Sequence, residues 1–110
     1  MTPTPGARPS LEQIAVSLEA LRADATDWVH AAADLRGAAH RADAAVVAPE
    51  AFSFAGAPVA EAYELLRVHT AALLACGADN FGAVAAALRA AAATYEADEL
   101  NNVHRLRNVY

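Results

Sequence analysis

Three side chains that could hold a metal ion share one face of a predicted helix. Asp27, His30 and Asp34 follow one another at spacings of three and four residues, the spacings of neighbours on a helix surface. Helical bundles that bind two metal ions use Glu-x-x-His pairs, and this sequence has none. We therefore interpret the three residues as a solvated polar face, and we predict no metal site.

The other groups that could do chemistry form no catalytic pattern. His40, His69 and His104 lie far apart in the chain, and no His-x-x-x-His pair is present. Cys76 and the serines show no spacing typical of a nucleophile motif. The glycines make no phosphate-binding loop. We therefore predict that the chain is not an enzyme and that it uses no cofactor.

A tyrosine and a carboxylate near the end of the chain form a candidate recognition site. Tyr95 and Glu99 are four residues apart, so a helix places both on one face. Tyr95 also continues an apolar pattern, which makes it a candidate core residue, and Glu99 has an ordinary reading as a solvated acid. Acids disfavour the C-terminal end of a helix. Either this helix continues to Arg105 and Arg107, or its acids serve a partner, for which a tyrosine beside a carboxylate is a suitable anchor.

The composition predicts that the elements carrying these residues are helices of one domain. The chain has 110 residues, with only 5 Gly and 5 Pro, most of them outside the helical patterns. Hydrophobic residues make up 56%, but more than half of these are alanines, which bury little area. The net charge is −5 and no basic patch is present, so we expect no nucleic-acid partner.

A cap and a heptad pattern mark the first helix. Residues 1–9 hold three prolines and no apolar stretch typical of a signal peptide, so we expect a disordered leader. Ser10 and Gln13 have the spacing of a capping box. We predict a helix over 10–47, which Pro49 ends. Its predicted apolar seam is Leu11, Ile14, Leu18, Leu21, Ala25, Trp28, Ala32, Leu35, Ala39, Ala42 and Val46.

A turn over residues 48–57 is predicted to lead into a second helix over 58–100. Phe54 and Gly56 are the expected turn residues, because an aromatic side chain can close the end of a hairpin and glycine permits a tight backbone. The heptad slips near Gly77, where we predict one helix with a kink or, alternatively, a break. The predicted second seam is Val59, Tyr63, Leu66, Thr70, Leu73, Gly77, Phe81, Val84, Leu88, Ala91, Tyr95 and Asp98.

Three remaining expectations concern the tail, the cysteine and the membrane. Residues 101–110 contain three asparagines, so we expect this tail to fray. The single cysteine, Cys76, is either a buried small apolar residue or the site of an intermolecular bridge. No stretch reaches 18 uncharged apolar residues, so we expect no transmembrane segment.

Several of these segments together resemble the helical-hairpin substrates of bacterial type VII (ESX) secretion. The segment from Phe54-Ala55-Gly56 to Glu61-Ala62-Tyr63 is similar to their Trp-x-Gly turn and the helix after it, with Phe in place of Trp. The only tryptophan, Trp28, lies in the first helix, so the chain resembles the EspC-like (excreted virulence factor C-like) branch, which often lacks that Trp. The segments 69–73 and 88–99 also resemble the end of EspC-like proteins, in which small residues lead to Tyr-x-x-x-Asp/Glu.

The resemblance covers roughly residues 10 to 100 and implies a function. It implies a non-enzymatic substrate or effector that a type VII secretion ATPase recognises through the folded hairpin together with Tyr95 and Glu99. Such a protein is cytoplasmic before export and is then secreted or held at the cell surface by a route that needs no signal peptide. The alternative is a cytosolic coiled-coil adaptor or a self-assembling scaffold.

Physical reasoning alone predicts association. The predicted fold is a long antiparallel helical hairpin with an alanine-rich seam, and one such hairpin has too little core for comfortable stability. Two hairpins packed into a four-helix bundle bury two stripes on each helix. We therefore expect a homo-oligomer or a complex with a second helical-hairpin protein.

Overall fold

The chain folds into two long α-helices joined by a short connection. The computed structural model describes residues 10–109. Helix α1 spans Leu11–Ala44, a 3-10 helix spans Pro49–Ala55, and helix α2 spans Gly56–Val109. Among residues 10–109, only Ser10 and 45–48 lie outside a helix. The all-α class is thus confirmed as two helices and a turn, while the predicted leader over 1–9 lies outside the described residues.

The predicted capping box begins α1. The backbone N–H of Gln13 donates to Ser10 Oγ at 3.1 Å, and the backbone N–H of Ser10 donates to Gln13 Oε1 at 2.7 Å. These two bonds satisfy donors that the first turn of a helix otherwise leaves free. Helix α1 therefore starts where the sequence predicts.

Side chains of α2 cap the C-terminal end of α1. Helix α1 ends at Ala44, three residues before the predicted end at residue 47. The Tyr63 hydroxyl donates to the backbone oxygen of Ala45 at 2.8 Å, and Arg67 donates to the backbone oxygen of Asp43. Carbonyls of a last helical turn lack partners within the helix, so these side chains stabilise an earlier end.

Helix α2 is longer than predicted at both ends. It starts at Gly56 instead of residue 58 and continues past residue 100 to Val109. It is one continuous helix through residues 77–82, so the alternative break is absent, while the predicted kink stays a prediction. Arg107 lies in its last turn, where a cation interacts favourably with the helix dipole. The fraying of the tail in solution stays a prediction for hydrogen exchange.

Contacts divide the chain into two compact units. The first, called here the terminal unit, takes in the chain up to Asp27 together with residues from Ala85 onward. The second, called here the turn unit, comprises Trp28–Val84. Each unit pairs one segment of α1 with one segment of α2, and the two segments run antiparallel.

The core of the terminal unit joins two large side chains of α1 to an alanine of α2. Ile14, Leu18 and Ala92 are buried together, and Leu21 packs against them. Arg22 Nη2 lies 3.2 Å from Glu96 Oε2 beside this core. Both charged side chains are half exposed, so this ion pair contributes little to the free energy of unfolding.

The core of the turn unit is built mainly from small residues. Its buried residues are Ala32, Ala39 and Ala78. The Trp28 and Phe81 rings pack edge to face with centroids 4.8 Å apart. Trp28 is half-buried, so the extensive burial that its position in the seam predicts is only partly reached. Alanine at the contact lets two helix backbones approach closely, which leaves little depth for a large ring.

The predicted seam is correct for α1 between Ile14 and Ala42, and it is only partly correct for α2, where Tyr63, Gly77, Phe81 and Leu88 are half-buried as predicted. Every predicted seam residue of α1 from Ile14 to Ala42 is buried or half-buried. On α2, the predicted seam residues Leu66 and Leu73 are exposed, and the residues that face α1 lie mostly one position later. The observed set is Ala60, Tyr63, Arg67, Ala71, Leu74, Ala78 and Phe81 in the turn unit, and Ala85, Leu88 and Ala92 in the terminal unit.

The physical reason for this correction is backbone approach. Alanines recur every seven residues at positions 71, 78, 85 and 92 of α2. A stripe of small side chains permits a shorter distance between helix axes than a stripe of leucines does, and it therefore permits more backbone contact. The steps from Leu74 through Ala78 and Phe81 to Ala85 alternate four and three, so the predicted slip is absent there.

The structure also bears on the expectations for the cysteine and for a membrane segment. Cys76 is exposed, so its interpretation as a buried apolar residue is wrong and the intermolecular bridge remains. Judged by length and composition alone, one helical stretch of the described residues, Pro49–Asn108, is long and apolar enough to cross a membrane. Its most apolar window has a mean hydropathy of 1.5. The absence of a transmembrane segment therefore stays a prediction.

Candidate functional site

Tyr95 lies on the surface of the terminal unit. Its side chain is 41% exposed, so it is not the core residue that the apolar pattern makes it a candidate for. Ala92, one turn earlier, takes the buried position against α1. The tyrosine therefore presents part of its side chain to solvent, and within residues 10–108 no side chain or backbone group bonds to its hydroxyl.

Glu99 lies at the rim of an apolar groove between α1 and α2. The groove has a volume of about 140 Å³. Its lining is formed by apolar residues of both helices and by two carboxylates, and consists of Leu11, Ile14, Ala15, Leu18, Leu100, Val103, Glu96 and Glu99. Glu99 is half-buried there. The arrangement suits an apolar side chain with a cationic group at its edge.

The two carboxylates of the groove differ in their partners. Glu96 is held by Arg22, whereas no cation among residues 10–108 lies within ion-pair distance of Glu99. Asp98 is exposed and does not line the groove. Glu99 is therefore the carboxylate of the groove that remains available for a charged partner.

The predicted turn residues occupy the connection between the helices. Gly56 has φ 59° and ψ −144°, a conformation that glycine adopts readily and other residues rarely do. Phe54 is fully exposed, so the aromatic ring that closes this end is not Phe54. Phe52 does so instead, because its ring lies 5.6 Å from that of Tyr63. The half-buried Phe52 and the exposed Phe54 are separated by Ser53 at φ 54°.

An ion network in the turn unit was not predicted from the sequence. Arg67 donates from Nε to Glu64 Oε2 at 3.0 Å and from Nη1 to Asp43 Oδ1 at 3.1 Å. The hydrogen bond from Arg67 lowers the pKa of Glu64, and the same bond raises the pKa of Arg67. The Glu64–Arg67 spacing of three was the available signal. Because the network joins the helices beside the turn, we assign it a structural role.

The polar face that the sequence analysis interprets as solvated lies on the surface. The side chains of Asp27, His30 and Asp34 are all exposed. Over the described part of the chain, no group of three or more His, Cys, Asp or Glu side chains is placed to hold a metal ion.

Comparison with protein-family models, with curated proteins and with solved structures finds no match to this chain.

Proposed function

We propose that this chain is a non-enzymatic substrate of a type VII secretion system, exported as a folded helical hairpin. In this proposal Tyr95 and Glu99 form the surface that the secretion ATPase recognises. Phe54 and Gly56 belong to the turn between the two helices. The protein is cytoplasmic before export and secreted or at the cell surface afterwards. Before export it pairs with a second copy or with another hairpin protein into a four-helix bundle.

The observation that carries the proposal is the exposure of Tyr95 beside a carboxylate without an ion-pair partner among residues 10–108. A core tyrosine would serve only stability, but this side chain is 41% exposed. Aromatic residues are common anchors at protein interfaces. A carboxylate one turn later can accept a charge-assisted hydrogen bond from an arginine of a partner. The resemblance to EspC-like proteins implies that the type VII secretion ATPase is the partner that recognises this pair.

Export measured for point variants tests the proposal. Tyr95→Ala should reduce the ratio of protein in the medium to protein in cells by at least about tenfold, because an anchor residue contributes more than about 1.4 kcal/mol of binding. Glu99→Gln keeps the shape and removes the charge, so it should reduce export less strongly. The host must carry a type VII system, and expression must be matched.

Asp98→Asn is the matched control for the loss of charge. Asp98 is exposed on the same turn of α2 and does not line the groove, so this variant should be exported like the parent. Circular dichroism of each variant should show the parent's helicity. If the parent is exported and all three variants are exported to the same extent, Tyr95 and Glu99 are not the secretion signal. If the parent itself stays in the cells, the alternative of a cytosolic adaptor or scaffold is favoured.

A further inference from the structure

The outer face of α2 in the turn unit carries a second heptad pattern that α1 does not cover. Its residues follow one another at alternating steps of three and four, and every one of them is exposed. We call these positions the outer seam: Val59, Ala62, Leu66, His69, Leu73, Cys76, Asn80 and Ala83. None of them carries a formal charge at pH 7 with histidine neutral.

The large members of the outer seam are unusually exposed for apolar residues. Leu66 is 65% exposed and Leu73 is 74% exposed, while the buried residues of this unit are alanines. Leu65, beside the seam, is also exposed. An exposed stripe that is apolar at six of its eight positions marks an interaction surface, and heptad spacing is the pattern by which one helix packs along another.

We propose that the outer seam binds a second copy of this chain, with the two α2 helices antiparallel. In a parallel pair each residue would meet its own copy, so Leu66 would face leucine while Ala62 faced alanine. Wide and narrow layers would then alternate, which a constant distance between helices does not accommodate. In an antiparallel pair each leucine faces a smaller residue, and the widths of the layers differ less than in the parallel pair.

The antiparallel register follows from the positions themselves. Leu66 lies opposite the partner's Cys76, Leu73 opposite the partner's His69, and Val59 opposite the partner's Ala83. All three pairs share one midpoint at residue 71, so one twofold axis relates them, as a closed dimer requires. The remaining layer places Asn80 opposite the partner's Ala62.

The size of the seam sets the expected affinity. Twenty-five residues of helix, 59 to 83, extend over about 36 Å, and a helix is about 10–12 Å wide with its side chains. The contact is therefore about 400 Å² for each copy, or about 800 Å² in total, which is below the size of stable specific interfaces and typical of weak, transient ones. We expect a reversible dimer that forms at micromolar concentration, independent of whether the protein is exported.

A membrane is a less suitable occupant of this face. Charged groups lie at the same level of α2 as the outer seam, namely the Arg67 network and the ion pair between Arg36 Nη2 and Asp79 Oδ1 at 2.9 Å. Burial of such pairs in hydrocarbon is costly. A second copy can cover the seam and leave these pairs at its edge in water.

Sedimentation velocity on the full chain between about 1 and 200 µM tests the interface, because this range brackets the affinity of a small contact. The parent should change from monomer to dimer over the range. Leu66→Glu and Leu73→Glu should each raise the dissociation constant at least about tenfold. Val68→Glu is the control, since Val68 is an exposed apolar residue outside the seam. It should dimerise like the parent.

Disulfide formation tests the register. The two Cys76 residues should lie about 15 Å apart along the axis, too far for a disulfide, whereas a thiol at position 66 should reach the partner's Cys76. Leu66→Cys should therefore give a covalent dimer on mild oxidation, and Val68→Cys should not.

The proposal is overturned if the parent stays monomeric to 200 µM, or if both glutamate variants dimerise like the parent. It is also overturned if the parent crosslinks through Cys76 while Leu66→Cys gives no additional bond. Tight binding of the parent to phosphatidylcholine vesicles without dimerisation would assign the face to a membrane instead. If circular dichroism shows that a glutamate variant has lost helicity, the milder variant Leu73→Gln is measured in its place.

Discussion

Arg67 fulfils three roles with a single guanidinium group. It donates to Glu64 on its own helix, to the Asp43 side chain on the other helix, and to the backbone oxygen at the end of α1. Its side chain is 12% exposed, which makes it the most enclosed charge of the four ion pairs within residues 10–108. An arginine fits this place better than a lysine because its planar group offers several donors in a fixed geometry.

The lowered pKa of Glu64 predicts how stability changes with pH. The folded state binds the Glu64 proton less tightly than the unfolded state, whose carboxyl has its ordinary pKa of 4.5. The interaction therefore stabilises the folded protein above that pH, and the stabilisation is lost as the pH falls through the folded pKa. Glu64→Gln should lower the Tm at pH 7 and lower it by a smaller amount at pH 3, as followed by circular dichroism.

Glu61→Gln serves as the control for this experiment. Glu61 is exposed on the same helix and makes no ion pair with the described residues. Its replacement should leave the Tm at pH 7 close to that of the parent. An equal loss of Tm for Glu64→Gln at both pH values would mean that packing, not charge, explains the effect.

At the scale of elements, the connection depends on backbone conformation. Gly56 starts α2 with a positive φ, and Ser53 adopts a positive φ without being glycine. Such conformations store strain in residues other than glycine. The chain reverses direction here with a glycine at one of the two positions, and the Phe52–Tyr63 contact and the cap of α1 fix the geometry around it.

Two glycine substitutions separate strain from helix propensity. Gly56→Ala should reduce the free energy of unfolding by about 1–3 kcal/mol, because no atom lies within 4 Å of the added Cβ and only the backbone is strained. Gly82→Ala also meets open space, but within α2, so it should increase the free energy of unfolding by about 1 kcal/mol. Urea unfolding monitored by circular dichroism measures both. A stable Gly56→Ala variant would contradict the turn geometry described here.

At the scale of the whole molecule, alanines determine which surfaces meet. The fully or nearly fully buried positions of α2 are Ala78, Ala85 and Ala92, and no large side chain is fully buried among the described residues. Helices that pack through alanine gain backbone contact but little hydrophobic area. The leucines left outside then become available for association, which links the thin core to the proposed dimer.

Two opposite substitutions test the assignment of the α2 seam. Ala78→Leu should reduce the free energy of unfolding by about 1–3 kcal/mol, because it overfills a contact with no free volume. Leu73→Ala, at a position 74% exposed, should change it by less than about 0.5 kcal/mol when the protein is dilute and monomeric. Urea unfolding at low concentration distinguishes the two. A larger loss of unfolding free energy for Leu73→Ala than for Ala78→Leu would instead support the seam predicted from the sequence.

The sequence by itself determined the features that depend on neighbouring residues. The capping box at Ser10 and Gln13, the continuity of α2 and the seam of α1 all follow from local hydrogen bonding and from a periodicity with one clear apolar face. The shared helix face of Tyr95 and Glu99 follows from their spacing in the same way.

Only the tertiary structure decided which face of α2 meets α1. Alanine occupies several faces of that helix, so apolar periodicity favoured the stripe with leucines at 66 and 73, whereas the distance between two backbones favours the stripe of alanines one residue later. That rotation of the helix leaves Tyr95 exposed and Cys76 uncovered, and the position of α1 forms the groove beside Glu99. How closely two helices approach is a property of both surfaces together, and neither segment carries it alone.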